Sequence, residues 1–379
     1  MPKRRMNGEG TIYQRKNGLW VCEITVGFSA DGKRLKKTVS SMDREKLQKK
    51  INDLKYLNDR KLLTDPTKYT VAEWVRIWLD TYKKQSVKPT TYDMYNGSLT
   101  RYIEPQIGHY KLDALNSIIV QKFINDLSNK GLNAENGLSQ SSVKKVLITL
   151  SQACKQAVKS NLLYANPCDS VNLPKKQARQ AAAFTKEEQE AFLSHCSGEN
   201  TFQNLFIFAF HTGMRLGEML ALMWPDIDME KHVVSVSKNI SVVNDYDNPE
   251  RKQKTIITDT KTASGTREIP LSKKALEAVQ RQKENNKKDS PFVFYSTAGT
   301  PLMKRNIYRA FNAILGSADI TSHVTVHSMR HSFATRLLEK GADIKTVSEL
   351  LGHKSIQITL NIYSHVSSNL KRETVSLLD

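Results

Sequence analysis

Cysteine is scarce in this chain: Cys22, Cys154, Cys168 and Cys196 are the only four in 379 residues. No two stand in C-x-x-C spacing, so neither a disulfide framework nor a zinc knuckle is indicated. Long apolar runs are also lacking. The strongest, LFIFAF at 205–210, falls far short of the ~20 residues needed to cross a bilayer. The basic opening MPKRRMNGEG is followed by no apolar stretch, which excludes a secretory signal. There is no internal repeat and no low-complexity tract. These absences predict a soluble protein of the reducing cytoplasm, with no membrane partner, long enough for two or three domains with real cores.

Acidic residues are in deficit too. Lys and Arg number 57 against 38 Asp and Glu, a net charge of +19. The excess is uneven: net +9 over residues 1–64, +7 over 65–179 and +3 over 180–379. A basic surface of this kind suits phosphate binding driven by counterion release, so nucleic acid is the leading partner class. An anionic membrane surface and plain solubility are the alternatives.

The N-terminal stretch reads as three strands and a helix. TIYQR and LWVCEITV flank the turn Lys16-Asn17-Gly18. A second turn, Ala30-Asp31-Gly32, leads into KRLKKTVS. Asn-Gly and Asp-Gly favour hairpins because both residues tolerate positive φ. The helix that follows puts Leu47, Ile51, Leu54 and Tyr56 or Leu57 on one face. The third strand carries Lys33, Arg34, Lys36 and Lys37. That pattern fits a β-ribbon entering a DNA groove and equally an edge strand blunted by lysines.

Residues 66–174 read as all helical. Val71, Trp74, Val75, Trp78 and Leu79 keep a 3.6-residue period, Pro89-Thr90 opens a helix, Gly131 closes one, and a long amphipathic helix runs through SQSSVKKVLITLSQACKQAVK. The proline-bearing, basic NPCDSVNLPKKQARQAAA reads as a linker. Beyond it, Thr185 and Glu188 form a capping box. Helices then dominate, interrupted by HVVSVSKNISVV and TIITDTKTASGTREIPL, which read as strands of a small sheet. The fold class expected is multidomain α+β: a small β-sheet-plus-helix module, an all-α domain, and a mainly α domain with a small antiparallel sheet.

Four pieces of the last domain carry chemistry: HTGMRLGE with Arg215 and Glu218, DTKTASGTREIPL with Lys261 and Arg267, VHSMRHSFAT with His327, Arg330 and His331, and LGHKSIQITLNIYSHV with His353 and Tyr363. Each has an ordinary reading alone. Arg215 and Glu218, three apart, could simply pair, and Tyr363 could be a packed aromatic with a wet hydroxyl. His323, His327 and His331 are spaced by four, as metal ligands on one helical face would be. However, β-branched residues between the first two put His323 before the helix, and Arg330 would crowd a cation. Together the pieces make a cationic pocket with a hydroxyl nucleophile, suited to a phosphodiester. Arginine forks stabilise charge on non-bridging oxygens, and the same field favours phenolate at a group whose ordinary pKa is about 10. Histidine and lysine can move the protons. No carboxylate cluster of metal-binding type accompanies the set, so no cofactor is expected.

The order Arg, Lys, His-x-x-Arg, His, Tyr resembles the tyrosine recombinase family, in particular the phage and conjugative-transposon integrases. The match is dense over HTGMRLGE, TKTASGTREIPL, HSMRHSFAT and LGHKSIQITLNIYSHV. It extends to YIEPQIGHYKLDAL, similar to a core-site-binding domain, and more loosely to residues 1–64, similar to arm-site-binding modules. The resemblance implies three domains at 1–64, 65–174 and 175–379. It implies that Tyr363 attacks the scissile phosphate to give a 3′-phosphotyrosyl link. Arg215 and Arg330 would hold the non-bridging oxygens, Lys261 would protonate the leaving 5′-oxygen, and His327 and His353 would assist. Glu218 and His331 would be structural. Strand exchange would pass through a Holliday junction in a homotetramer on core and arm sites of double-stranded DNA, with an excisionase and a host DNA-bending protein as further partners. A non-catalytic DNA-binding factor and a tyrosine-linked topoisomerase are the rival readings.

Overall fold

The structure, a computed structural model, describes residues 11–28, 34–59, 69–130, 137–174, 182–246, 248, 250, 252–259, 265–285 and 288–363. Lys33, the Ala30–Gly32 turn, Gly131, the linker residues 175–181, Lys261 and the tail after Tyr363 lie outside them, as do the side chains of Tyr56 and Leu57. The chain divides into two compact units, Met1–Ala178 and Arg179–Asp379.

The first unit opens with an antiparallel sheet, β1 (Thr11–Gln14), β2 (Trp20–Phe28) and β3 (Arg34–Ser41), in the order β1-β2-β3. Gly18 adopts φ 82° in the turn between the first two strands, a conformation open to glycine at little cost. Helix α1 (Arg44–Asp59) starts where the Asp43 carboxylate accepts the amides of Glu45 and Lys46. Its Leu47, Ile51 and Leu54 pack on Cys22 and Ile24 of β2, burying the face that the sequence period selects. Among the described residues β3 bonds only to β2, which makes it an edge strand. Arg34 and Lys36 are exposed on it, with the Lys36 ammonium 3.5 Å from Glu23.

A second, separate core in this unit belongs to helices α2 (Val71–Trp78), α3 (Pro89–Ser98), α4 (Glu104–Ile107), α5 (Ser117–Asn129) and α6 (Gln140–Lys159). Trp74 and Trp78 of α2 are buried, and the Trp74 indole donates to the Ala153 carbonyl of α6 at 2.9 Å. π-helical turns at Leu79–Lys83 and Leu99–Ile103 extend α2 and α3. These shift the register and were not legible in the 3.6-residue pattern.

The second unit contains α7 (Lys186–Ser194), α8 (Thr201–Thr212), α9 (Leu216–Ala221), α10 (Lys273–Glu284), α11 (Lys304–Ser317), α12 (Ser328–Glu339), α13 (Ile344–Leu351) and α14 (Ile356–Tyr363). Its strands are β4 (Ile227–Asp228), β5 (Val233–Val236), β6 (Lys238–Asn244), β7 (Gln253–Asp259) and β8 (Arg267–Pro270). They form two sheets rather than the single one expected: β4-β5-β8 and the ribbon β6-β7. Each Val/Ile/Thr-rich run is split. The chain leaves one sheet at Ser237, before the polar Lys238 and Asn239, and enters the other. The core is aromatic. Phe184, Phe192, Phe206, Phe210 and Phe311 meet with ring centroids 5.1–6.2 Å apart, mostly edge to face. The Thr185–Glu188 capping box opens α7 as the sequence indicates.

Candidate active site

Arg215 owes its place to a sharp turn. α8 ends at Gly213 in the left-handed region, φ 61°, and a Cβ there would lie 2.4 Å from Cδ1 of Phe333. Only glycine fits, and the chain reverses within two residues so that Arg215 becomes the N-cap of α9. One turn on, Glu218 is 3% exposed. Its carboxylate accepts the Arg215 amide at 2.9 Å and the Arg215 Nη1 at 2.7 Å. The pairing that the three-residue spacing suggests is present, but Glu218 has a second partner: Nη2 of Arg267, at the start of β8, donates to it at 2.9 Å. Burial pushes the Glu218 carboxyl up, and its bonds to Arg267 and Arg215 more than offset this, holding it below the usual range. Two guanidinium groups therefore share one ionised carboxylate.

The third guanidinium is Arg330, in the first turn of α12. It is 5% exposed, and its Nη1 donates to the Gly213 carbonyl at 2.8 Å. All three arginines converge on one helix end. Arg267 Nε donates to the carbonyl of Leu350 at 2.6 Å, Arg330 Nη2 to that of Leu351 at 2.6 Å, and Arg215 Nη2 to that of Gly352 at 2.9 Å. These are carbonyls at the C-terminus of α13, where intrahelical partners run out and the helix dipole is negative. Arg215 keeps 39% of its side chain exposed, while Arg267 keeps 7%.

This grip fixes His353. Gly352, at φ 63°, ends α13 in a Schellman turn, with its amide on the Glu349 carbonyl and the His353 amide on the Ser348 carbonyl. The His353 ring is then held through Nδ1, 2.9 Å from the buried Thr359 Oγ1 of α14. α14 packs on α12 and α13 and ends at Tyr363, so KSIQITLNI forms a turn and a short helix. The backbone of Tyr363 is thereby attached to the element that holds His353. Its side chain and Lys261 lie outside the described residues.

His327 precedes α12 and its ring meets that of His331 edge-on, centroids 4.9 Å apart. His323 is exposed and lies ahead of the helix, as its β-branched neighbours indicate. His327 is more than a third exposed, yet the protein packed around it, then His331, Arg330 and Arg215, pull its pKa down to about 4. His353 is drawn to about 4 by burial and then by Arg330 and Arg215. His331 is lowered by burial and Arg330. The Arg330 guanidinium is lowered to about 9 by burial and then by Arg215, and stays charged at neutral pH. The pocket therefore presents neutral imidazoles among fixed positive charges. Such a pocket attracts an anion and gains protonatable groups once one is bound. Among the described residues no three His, Cys, Asp or Glu side chains converge as metal ligands, and no helix is long and apolar enough to cross a membrane. Arg267 is the site residue that the sequence reading left without a role. The only signal was its position in the same strand-rich piece as Lys261.

Known proteins share this arrangement of chain. The phage integrase family model matches residues 173–369, and an integrase N-terminal SAM-like domain matches residues 70–128. A tyrosine recombinase XerC-like protein of Caldanaerobacter subterraneus subsp. tengcongensis is 30% identical over 94% of both chains. The ICEBs1 integrase of Bacillus subtilis is 29% identical over 65% of this chain and 67% of its own length. Among solved structures, the Tn1549 transposon integrase in complex with a circular intermediate DNA is similar over 82% of this chain and 100% of that one, with a TM-score of 0.69 and 22% identity. A lambda integrase tetramer bound to a Holliday junction is similar over 95% of this chain and 96% of that one, with a TM-score of 0.60 and 18% identity. The chain belongs to the phage integrase family and is a tyrosine recombinase, an enzyme that breaks and rejoins DNA.

Proposed function

We propose that this recombinase integrates, and also excises, a mobile element through a 3′-phosphotyrosyl intermediate, with Tyr363 as nucleophile. The observation that carries this reading is the shared helix end. Arg215 and Arg330 are bonded to consecutive carbonyls of the segment that leads through His353 to Tyr363. In the proposed step, Tyr363 Oη bonds to phosphorus and the bond from phosphorus to the 5′-oxygen breaks. Lys261 gives its proton to the departing oxygen, and the tyrosine proton passes to a histidine of the pocket. Arg215, the more open of the two arginines, would bond the non-bridging oxygens, and Arg330 would add its charge from beneath. His327 and His353, neutral before DNA arrives, can accept protons when the phosphate enters. The phosphotyrosyl link keeps the energy of the phosphodiester, so the cycle balances without ATP or a metal cofactor.

The domain roles follow the same reading: residues 1–64 bind arm sites, 65–174 grip the core site, and 175–379 carry out catalysis. Lys33, Arg34, Lys36 and Lys37 would meet arm-site phosphates or bases, which the exposure of Arg34 and Lys36 on an edge strand supports. Four copies would assemble on two duplexes and exchange strands through a Holliday junction in the cytoplasm, with an excisionase and a host DNA-bending protein setting direction. Two proteins of similar fold, an integrase in complex with a circular intermediate DNA and an integrase tetramer bound to a Holliday junction, support this reading.

The test is a core-site duplex nicked near the crossover point, which traps the covalent complex. Wild type should give an adduct that survives denaturation, and Tyr363→Phe should give none. Absence of a wild-type adduct on the cognate site removes the catalytic reading. Relaxation of arbitrary supercoiled DNA would point to a topoisomerase instead.

A further inference from the structure

We infer that Arg267 is a positioning residue for strand cleavage: it fixes Gly265, four residues after Lys261, against Glu218 and the end of α13, and so anchors the chain from which Lys261 acts. The inference rests on the role proposed for Lys261. Four observations carry it. Arg267 is the first residue of β8, six positions after Lys261, and its Nη1 donates at 3.1 Å to the carbonyl of Gly265, within the connection between them. Its Nη2 shares the buried Glu218 with Arg215, at 2.9 Å. Its Nε donates to Leu350 at 2.6 Å, the carbonyl next to those held by Arg330 and Arg215. Its side chain is 7% exposed, so it is spent on the protein rather than offered to DNA.

One planar fork thus ties three segments that are far apart in sequence: the lysine's connection, the N-terminus of α9 and the C-terminus of α13. Guanidinium geometry matters here. Donors leave Arg267 in fixed in-plane directions toward a carboxylate and two carbonyls. A lysine ammonium keeps the charge but cannot reproduce that set. Without the fork, Arg215 retains Glu218 and Gly352, and Arg330 retains Gly213 and Leu351. What loses its tether is Gly265, the residue from which the chain runs back to Lys261. The expected lesion is therefore in leaving-group protonation rather than in phosphate binding.

That lesion has a specific readout. Replacing the leaving 5′-oxygen of the core substrate by sulfur makes the departing group a thiolate. A thiol has an ordinary pKa of about 8.5, so it leaves with little need of a proton donor. Tyr363 Oη still bonds to phosphorus and the phosphorus–sulfur bond breaks. The measurement is single-turnover cleavage by the full chain at saturating protein, on all-oxygen and 5′-sulfur substrates, with Lys261→Ala, Arg267→Ala and Arg267→Lys beside wild type. Arg267→Ala should slow all-oxygen cleavage about 100-fold, the scale of a misplaced catalytic group. Arg267→Lys should fall between, with DNA affinity unchanged, and sulfur should bring both close to wild type, as for Lys261→Ala. Equal slowing of the Arg267 variants on both substrates, or loss of DNA affinity alone, would overturn the assignment. Should Arg267→Ala fail to fold, Arg267→Lys decides the question by the same comparison. Wild type without an adduct would mean that the proposed function fails. Rescue of Lys261→Ala without rescue of Arg267→Lys would mean that only this inference fails.

Discussion

Arg330, in the first turn of α12, donates through Nη2 to the carbonyl of Leu351 at 2.6 Å, at the far end of α13. That bond joins the His-x-x-Arg motif to the segment bearing His353 and Tyr363. Arg215 and Arg267 repeat it on the two neighbouring carbonyls. The arginines expected to bind phosphate thus also build the frame that carries the proposed nucleophile. Changes at any one of them act on position as well as on charge.

The carboxylate beneath this frame should matter most for stability. Glu218→Ala leaves Arg267 buried without its anion, and truncating one partner of a buried pair costs about 3–5 kcal/mol. Glu218→Gln, which keeps the shape and one acceptor, should cost less. Urea unfolding of the three proteins checks the order, and an unchanged midpoint in Glu218→Ala contradicts it.

Gly213→Ala should be severe for a single methyl. The residue sits at φ 61° and its new Cβ would meet Phe333 at 2.4 Å. The left-handed conformation alone costs an alanine about 1 kcal/mol, and the clash adds to it. The Gly213 carbonyl also anchors Arg330. A lowered melting temperature together with slower cleavage is expected. Wild-type values for both would show that the turn tolerates a side chain.

The histidines give a pH signature with a definite sign. His327 and His353 have folded pKa values near 4, below the unfolded value of about 6.5. Between those values the unfolded chain binds more protons. Stability of the DNA-free protein should therefore be full at pH 7 and fall as pH drops from about 6.5 toward 4. A bound phosphate raises the same pKa values, so DNA binding should take up protons near neutral pH. Calorimetry in buffers of different ionisation enthalpy should detect that uptake. Proton release on binding would contradict it.

The N-terminal module should be separable from cleavage. Deleting residues 1–64 removes net charge +9. It should weaken binding to arm-site DNA and flatten its salt dependence, while leaving cleavage of a minimal core duplex intact. Loss of core cleavage would argue against this division of labour.

Local chemistry made much of this legible in the sequence. Asn17-Gly18 marked the first hairpin, the spacing of Leu47, Ile51 and Leu54 marked the buried face of α1, and Thr185 with Glu188 marked the start of α7. Candidate site residues could be named because each motif is short and contiguous. What could not be read was how the motifs meet. That Glu218 serves two arginines, one of them 49 positions away, depends on tertiary packing with no local period. The same holds for three guanidinium groups choosing three successive carbonyls. The split into two sheets escaped because both have the same β-branched composition. The π-turns escaped because they insert a residue without changing amphipathic character.

The central claim is that Tyr363 becomes covalently joined to DNA. Digesting the trapped adduct and sequencing the nucleotide-bearing peptide by mass spectrometry tests it most directly. A 3′-phosphoryl group on Tyr363, within the peptide that follows His353, is the predicted result. Attachment at any other residue, or a nucleotide linked through its 5′-phosphate, would contradict the account.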